Sequence, residues 1–486
     1  MIHKIKKYPI TILLVACSLF YLAAYFYIAL SRITYPFEIE WMEGGSVDHV
    51  RRILLGQPLY VEPSLDFVPY IYTPFYYYVS AFFSKLFGLG FFSLRLVSLL
   101  SSLGIIVLLY KIVFLETKDH FSSLIASGLF TATFRLSGAW MDIARVDSLF
   151  LFLFFLGFYF LFYRKTISDT VIASILIFLS FFTKQSTLMM VLPLSITLLA
   201  QSKKRVLIFS IFLITFVGSS TLIMDHLSDG WYSYYVFKLP KLHAWVPEAY
   251  INYWKYDLGG PFLLASIIGL AGLFYGSSED KSWKDQLHLK TFLLGAIGAS
   301  WLSRLHSGGY DNVLMPAYLG ITLLASCFEN KNFKLKSVLN LFLFIQFSLL
   351  YYPIQNQIPT QADINAGHAF IEQIKNLPEK DVYIPFHPYF SILAGKEKTG
   401  AQLMAIDDIL RVKDHPQKTK FYQSIKNDLL NRTRPAIVLD NNWFPQELDQ
   451  NYSRGNDLFL GSHGFFPLTG ASTRPRWIYR LRESPQ

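Results

Sequence analysis

Apolar runs of close to 20 residues recur along the first 354 positions. A run of that length is what one helix needs to cross a hydrocarbon layer of about 30 Å. The runs fall near 9–30, 91–114, 120–138, 147–163, 170–183, 187–200, 206–224, 259–275, 289–304, 311–327 and 338–353. The third, fifth and ninth are short or interrupted by polar residues. The expected fold is a polytopic α-helical membrane protein of about eleven transmembrane helices. Composition agrees: 52% of residues are hydrophobic, 17% aromatic and only 16% charged. A soluble chain carries about 25% charged residues. The N-terminal run has a basic start and no clear small-residue cleavage site, so it is read as a retained first span.

The short connecting segments "HKIKK", "YKIVFLETK", "FYRKT", "QSKKR", "KSWKDQLHLK" and "ENKNFKLK" hold most of the loop Lys and Arg. With eleven spans all six fall on one side, which the positive-inside rule makes the cytoplasm. The net charge of +10 is thus largely topological, and nucleic-acid binding is unsupported. An integral, multi-pass protein is expected, in a bacterial cytoplasmic membrane, with the N-terminus inside. Outer loops are expected at 31–90 and 225–258 of a transmembrane domain spanning 1–354.

Residues 355–486 are polar and of mixed charge. "QADINAGHAFIEQIKNLP" has apolar residues at helical spacing, and "DVYIPF", "PAIVLD" and "RWIYRLR" read as short strands. A small C-terminal α/β extracytoplasmic domain is expected there. Cys17 and Cys327 both lie in apolar runs and suggest neither a disulfide framework nor a metal site.

Four polar clusters fall on the outer face. In "EIEWMEGGSVDHV", Glu40 and Glu43 are three residues apart and share a face if helical. Neither has an adjacent basic partner. Asp48 is expected to form a surface ion pair with Arg51 or Arg52. In "MDIARVDSLFLFLFF", Asp142 and Arg145 are spaced to pair with each other. Asp147 directly precedes a greasy run, where an ionisable side chain is a functional candidate. Lys184 interrupts the apolar "FFTKQSTLMMVLP", either snorkelling to the interface or holding an anion. "SRLHSGGYDNVLMP" offers Arg304, His306, Tyr310, Asp311 and Asn312. The aromatic "YVEPSLDFVPYIYTPFYYYVSAFF" suits a helix lying along the membrane. Acids able to act as a general base, and cations able to stabilise a leaving phosphate, are thereby gathered at one membrane level.

These residues resemble the membrane-embedded GT-C glycosyltransferases, specifically the dolichyl-phosphate-mannose protein mannosyltransferase superfamily with its aminoarabinose-transferase-like members. That family has an Asp-Glu pair opening the first outer loop, followed by Gly, an aromatic and a Pro-rich segment. Here "MEGGSVDHVRRILLGQPLY" leads into "YIYTPFYYY". Met42 stands where the family has Asp, which leaves the base open between Glu43 and Glu40. "ARVDSLFLFLFFLGFYFL" resembles the second acidic site and maps onto Asp147. "SFFTKQSTLMMVLPL" is similar to the "TKGP…LLP" stretch and maps onto Lys184. "GGYDNVLMPAY" resembles the "RY.LP..P" segment. Gly309 replaces an Arg there, so Arg304 becomes the candidate cation.

The resemblance implies transfer of a sugar from a polyprenyl-phosphate donor, with inversion, to a glycan, lipid or protein hydroxyl at the outer leaflet. Glu43 or Glu40 would be the base, and Asp147 would orient the acceptor or support that base. Lys184 and Arg304 would hold the lipid phosphate, with His306, Tyr310, Asp142 and Arg145 as further substrate contacts. No cofactor is implied. A divalent ion gathered by Glu40, Glu43, Asp147 and His306 is one competing reading. A transporter or flippase, and a scaffold whose outer domain binds partners, are two others.

Overall fold

The computed structural model describes residues 9–274, 286–327, 333–460 and 463–482. The basic stretch "HKIKK" and parts of "KSWKDQLHLK" and "ENKNFKLK" lie outside the described residues. All eleven apolar runs fold as helices. Counting helices of eight residues or more, they are α1 (Pro9–Ile33), α4 (Phe91–Thr117), α5 (His120–Ala132), α6 (Asp147–Tyr159), α7 (Ile167–Phe181), α8 (Thr187–Gln201), α9 (Lys203–Leu227), α10 (Leu263–Phe274), α11 (Leu287–Leu305), α12 (Met315–Cys327) and α13 (Phe333–Leu349). Two helices between α1 and α4 complete the order, α2 (Glu43–Leu54) and α3 (Phe75–Phe87).

Length separates them. At about 1.5 Å per residue, the 25 to 27 residues of α1, α4 and α9 exceed a ~30 Å hydrocarbon core. Together with Asp147–Arg164, four helices among the described residues are long and apolar enough to cross alone. Two bent pairs, at 105° and 62°, would bring the number to six. Helices of 13 residues such as α5 and α12 reach only about 20 Å and rely on flanking turns. Sharp starts come from side-chain caps. Thr166 and Asp169 form a capping box at α7, and Ser202 caps α9 through the Arg205 amide.

The bundle is held by one apolar core running from Leu14 to Tyr352. In α3 one face buries Tyr76, Tyr77, Ser80 and Ala81, while Tyr78, Phe82, Leu86 and Phe87 stay exposed. That edge has the character of an interfacial helix.

The tail folds as α14 (Gln361–Lys375), α15 (Leu403–Leu410) and α16 (Pro416–Leu430) around a four-stranded sheet. The strands are β1 (Val382–Tyr383), β2 (Ala436–Leu439), β3 (Tyr452–Asp457) and β4 (Trp477–Leu481), in the order β1-β2-β4-β3. β1 pairs parallel to β2, with Val382 opposite Ala436. The other pairs are antiparallel, with Leu439 opposite Trp477 and Tyr452 opposite Leu481. All four residues of β2 are buried. The tail does not keep its apolar residues to itself. Tyr35, Phe37 and Ile39, which follow α1, pack with Phe370, Ile384 and Phe390. Val47, Val50 and Tyr70 share a second core with Tyr389, Ala405 and Ile406. The segment after α1 and the tail are thus one packed layer at one end of the bundle.

Candidate active site

Glu38, Glu40 and Glu43 are all 0% exposed, but they meet different partners. Glu43 opens α2, and its carboxylate is saturated. Arg95 Nε donates to Oε1 at 2.9 Å and Nη2 to Oε2 at 2.6 Å. The amides of Ala144 and Ile39 each donate at 2.7 Å. Arg95 is itself fixed by the carbonyls of Arg32, Tyr35 and Phe37. Burial pushes the Glu43 carboxyl up, but the Arg95 charge and these hydrogen bonds outweigh it and hold the group below its usual range.

Glu38 reaches the tail. Its Oε2 lies 2.5 Å from His387 Nδ1, and His387 Nε2 lies 3.2 Å from Asp440 at the end of β2. Burial opposes a charge on His387, yet the two carboxylates raise it to about 10. The "GG" of α2 makes room for this packing. A Cβ on Gly44 would run into Glu38 Oε1, and one on Gly45 into the Tyr70 hydroxyl.

Glu40 is undersatisfied. Oε2 accepts from the Met42 amide at 3.2 Å and lies 4.0 Å from Arg145 Nη1. Oε1 has no hydrogen-bond partner among the described residues. Burial outweighs the Arg145 charge and raises Glu40 to about 8, where a base works well near neutral pH. Gly470 of the tail packs against this carboxylate, and Thr469 bridges to Glu40.

Two expected pairings are corrected. Asp142 does not pair with Arg145; it takes Arg32 at 3.2 Å, from the end of α1. Arg145 instead lies over Trp140, Tyr70 and Tyr72, donates to the Tyr72 hydroxyl at 3.2 Å, and leaves Nε and Nη1 without hydrogen-bond partners among the described residues. Asp48 is not in a surface ion pair. It is 5% exposed, neither oxygen has a hydrogen-bond partner among the described residues, and burial raises it well above the carboxylate range. Arg51 and Arg52 sit on the outer part of α2, half-exposed. Helical spacing placed the residues near each other in sequence but could not say which face turns inward.

Lys184 donates to Asp147 Oδ1 at 2.7 Å, and Asn312 donates to the same oxygen at 2.8 Å. Asp147 therefore holds Lys184 in place. Arg304 is taken by Asp257 at 2.9 Å and Asp311 at 3.2 Å. His306 Nε2 bonds the Pro240 carbonyl at 2.7 Å, and Tyr310 packs on Trp140.

A cavity of about 440 Å³ collects part of this set. Its lining includes Glu40, Arg145, Lys184, His306, Tyr310 and Asn312, with Trp41, Tyr70, Tyr72 and Trp140 as aromatic walls. Glu43, Asp142, Asp147 and Arg304 are not on its wall. Among the described residues no three His, Cys, Asp or Glu are placed to hold a metal ion. Glu40, Glu43, Asp147 and His306 go to separate partners.

Sequence reading missed two contributions. Arg95 was hidden in "FFSLRLVSLL", although a lone Arg inside an apolar run is itself a signal. The tail supplies Met404, Asp408, Gly470 and Ala471 to the cavity wall, for which no local motif existed.

Comparison with known proteins bears on this geometry. Residues 71–227 match the family model of dolichyl-phosphate-mannose-protein mannosyltransferase. Among solved structures, ArnT from Cupriavidus metallidurans in the apo state matches with a TM-score of 0.62 at 12% identity, over 96% of this chain and 99% of that one. The same protein bound to undecaprenyl phosphate matches with a TM-score of 0.62 at 11% identity, over the same shares. The Archaeoglobus fulgidus oligosaccharyltransferase tethered with an acceptor peptide matches with a TM-score of 0.51 at 11% identity, over 87% of this chain and 69% of that one. No curated protein matches the sequence. At these identities the structural likeness is one of fold. The chain thus has the fold of these membrane glycosyltransferases, and residues 71–227 of it are similar to the dolichyl-phosphate-mannose-protein mannosyltransferase family.

Proposed function

We propose that the protein transfers a sugar, with inversion, from a polyprenyl-phosphate donor to an acceptor hydroxyl at the outer face of the membrane. The observation that carries this reading is the undersatisfied Glu40 beside Arg145, in a cavity that Lys184 also lines. Glu40 removes the proton of the acceptor hydroxyl. The acceptor oxygen attacks the anomeric carbon from the side opposite the phosphate. The bond from that carbon to the phosphate oxygen breaks, and the electron pair leaves with the polyprenyl phosphate. Arg145, rather than Arg304, joins Lys184 in neutralising the charge that develops there. Asp147 acts through Lys184 as a positioning residue. Gly470 packs against Glu40, which keeps competing water from the base.

Undecaprenyl phosphate bound to a protein of this fold supports the donor class. The acceptor is a glycan, lipid or protein in the cell envelope, and nucleic acid plays no part. The basic loops favour an N-terminus in the cytoplasm and a tail outside. The test is release of free polyprenyl phosphate by the lipid-reconstituted protein from a panel of polyprenyl-phosphate sugars, with a membrane extract as acceptor. Release by wild type and its loss in Glu40→Gln support the reading. Absence of release from every donor contradicts it and favours transport or scaffolding.

A further inference from the structure

The cavity wall opposite the bundle comes from α15 of the tail. Gln402 caps this helix through the Met404 amide and reaches the Trp41 carbonyl at 3.5 Å. Met404 and Asp408 are one turn apart, on the face that lines the cavity. The helix is fastened to the bundle side of the same cavity. His243 Nε2 lies 2.6 Å from the Asp408 carbonyl, and Arg411 Nη1 donates to the Ser307 carbonyl at 3.3 Å. Asp408 is therefore held in a fixed place relative to Arg145 and Lys184.

Asp408 lines the cavity at 4% exposure, with Arg411 Nη2 3.1 Å from its Oδ1. Burial pushes the Asp408 carboxyl up to about 7 against the pull of Arg411, with Asp407 raising it and Arg145 lowering it, so the donor-binding cation and this carboxylate share one field. Above that pH the carboxylate is ionised and only accepts hydrogen bonds, so a group that it then recognises must donate. In a polyprenyl-phosphate sugar the part attached to the phosphate is the sugar itself, and its donors are hydroxyls or an ammonium.

We propose that Asp408 reads the donor sugar. It accepts hydrogen bonds from sugar hydroxyl or amino groups and excludes sugars that carry a carboxylate. The specificity of a membrane-embedded site is thereby set in part from the extracytoplasmic tail. This inference rests on the proposed donor class, so its test does not depend on turnover. Binding of undecaprenyl phosphate, undecaprenyl-phosphate glucose, undecaprenyl-phosphate mannose and undecaprenyl-phosphate glucuronate is measured on the full-length reconstituted protein. Wild type and Asp408→Asn are compared, with a thermal melt of each.

The bare lipid phosphate is the control for folding and for the Arg145–Lys184 cations. Expected is unchanged or tighter binding of the bare lipid by Asp408→Asn, since a negative charge near Arg145 is removed, about a 10-fold or greater loss for the neutral-sugar donor that wild type prefers, and improved relative binding of the glucuronate. Equal affinity of the two proteins for every sugar-bearing probe overturns the assignment. So does a parallel loss for the bare lipid, which would make Asp408 an organiser of the phosphate site. Absence of turnover in wild type, with the binding differences intact, would contradict the proposed transfer and leave the sugar contact standing.

Discussion

Glu43 and Glu40 are three residues apart and both fully buried, yet they belong to two different regions. Glu43 lies in a clamped floor, where Arg95 takes both of its oxygens and the Arg32 carbonyl, and Arg32 pairs with Asp142 Oδ1; of these groups only Asp142 Oδ2 lacks a hydrogen-bond partner among the described residues, and the cavity does not reach it. Glu40 lies on a cavity wall, where a carboxylate oxygen and two guanidinium nitrogens lack hydrogen-bond partners among the described residues. Burial alone does not mark a site. Burial with unused hydrogen-bonding capacity, next to space for a ligand, does.

The sharpest way to break this comparison is to exchange the roles by mutation. Glu43→Gln leaves the Arg95 cation buried beside a neutral partner. The expected cost is about 3–5 kcal/mol, read as a lowered melting temperature with loss of folded protein. A melt like that of wild type would mean that the floor is not structural. Glu40→Gln should lower turnover about 100-fold or more while the melt stays unchanged or rises, because a carboxylate poorly solvated in the fold is being neutralised. Gly470→Ala is a milder probe of the same wall. Gly470 has φ +81°, and a Cβ there would lie 2.8 Å from Glu40 Cγ and Oε1. A strain of about 1–2 kcal/mol is expected, together with reduced turnover as the carboxylate is displaced.

The smallest effect is a pH profile. With Glu40 raised to about 8, kcat/KM should climb about tenfold per pH unit below that value and level off above it. Loss of that slope in Glu40→Gln would sharpen the assignment. A wild-type profile flat from pH 6 to 9 would contradict it. The stability sign is opposite. A carboxyl raised from 4.5 to about 8 on folding contributes its full stability below 4.5, and that contribution is lost as pH rises through about 8.

Local pattern carried much of the fold. Each of the eleven apolar runs is a helix. The periodic "QADINAGHAFIEQIK" is α14, and three alternating or apolar stretches are β1, β2 and β4. β3 was not legible, because "YSRGND" is polar and mostly exposed and has no alternation to read. In the site, Glu40, Lys184, His306 and Tyr310 were legible and do line one cavity. Their partners were not. Glu43 finds Arg95 52 residues on, Asp142 finds Arg32 110 residues back, and Asp408 arrives from the tail. Helical spacing reports neighbours within a turn or two and is silent on such encounters. That is why Asp48 and Arg145 were assigned the wrong partners.

The most direct measurement is release of polyprenyl phosphate per folded molecule by Glu40→Gln, beside wild type and whatever Glu43→Gln can be recovered folded. Expected is a Glu40→Gln protein that melts like wild type and is nearly inert, while the folded fraction of Glu43→Gln still turns over. A well-folded Glu40→Gln that releases lipid phosphate at the wild-type rate would contradict the assignment of Glu40 as the base.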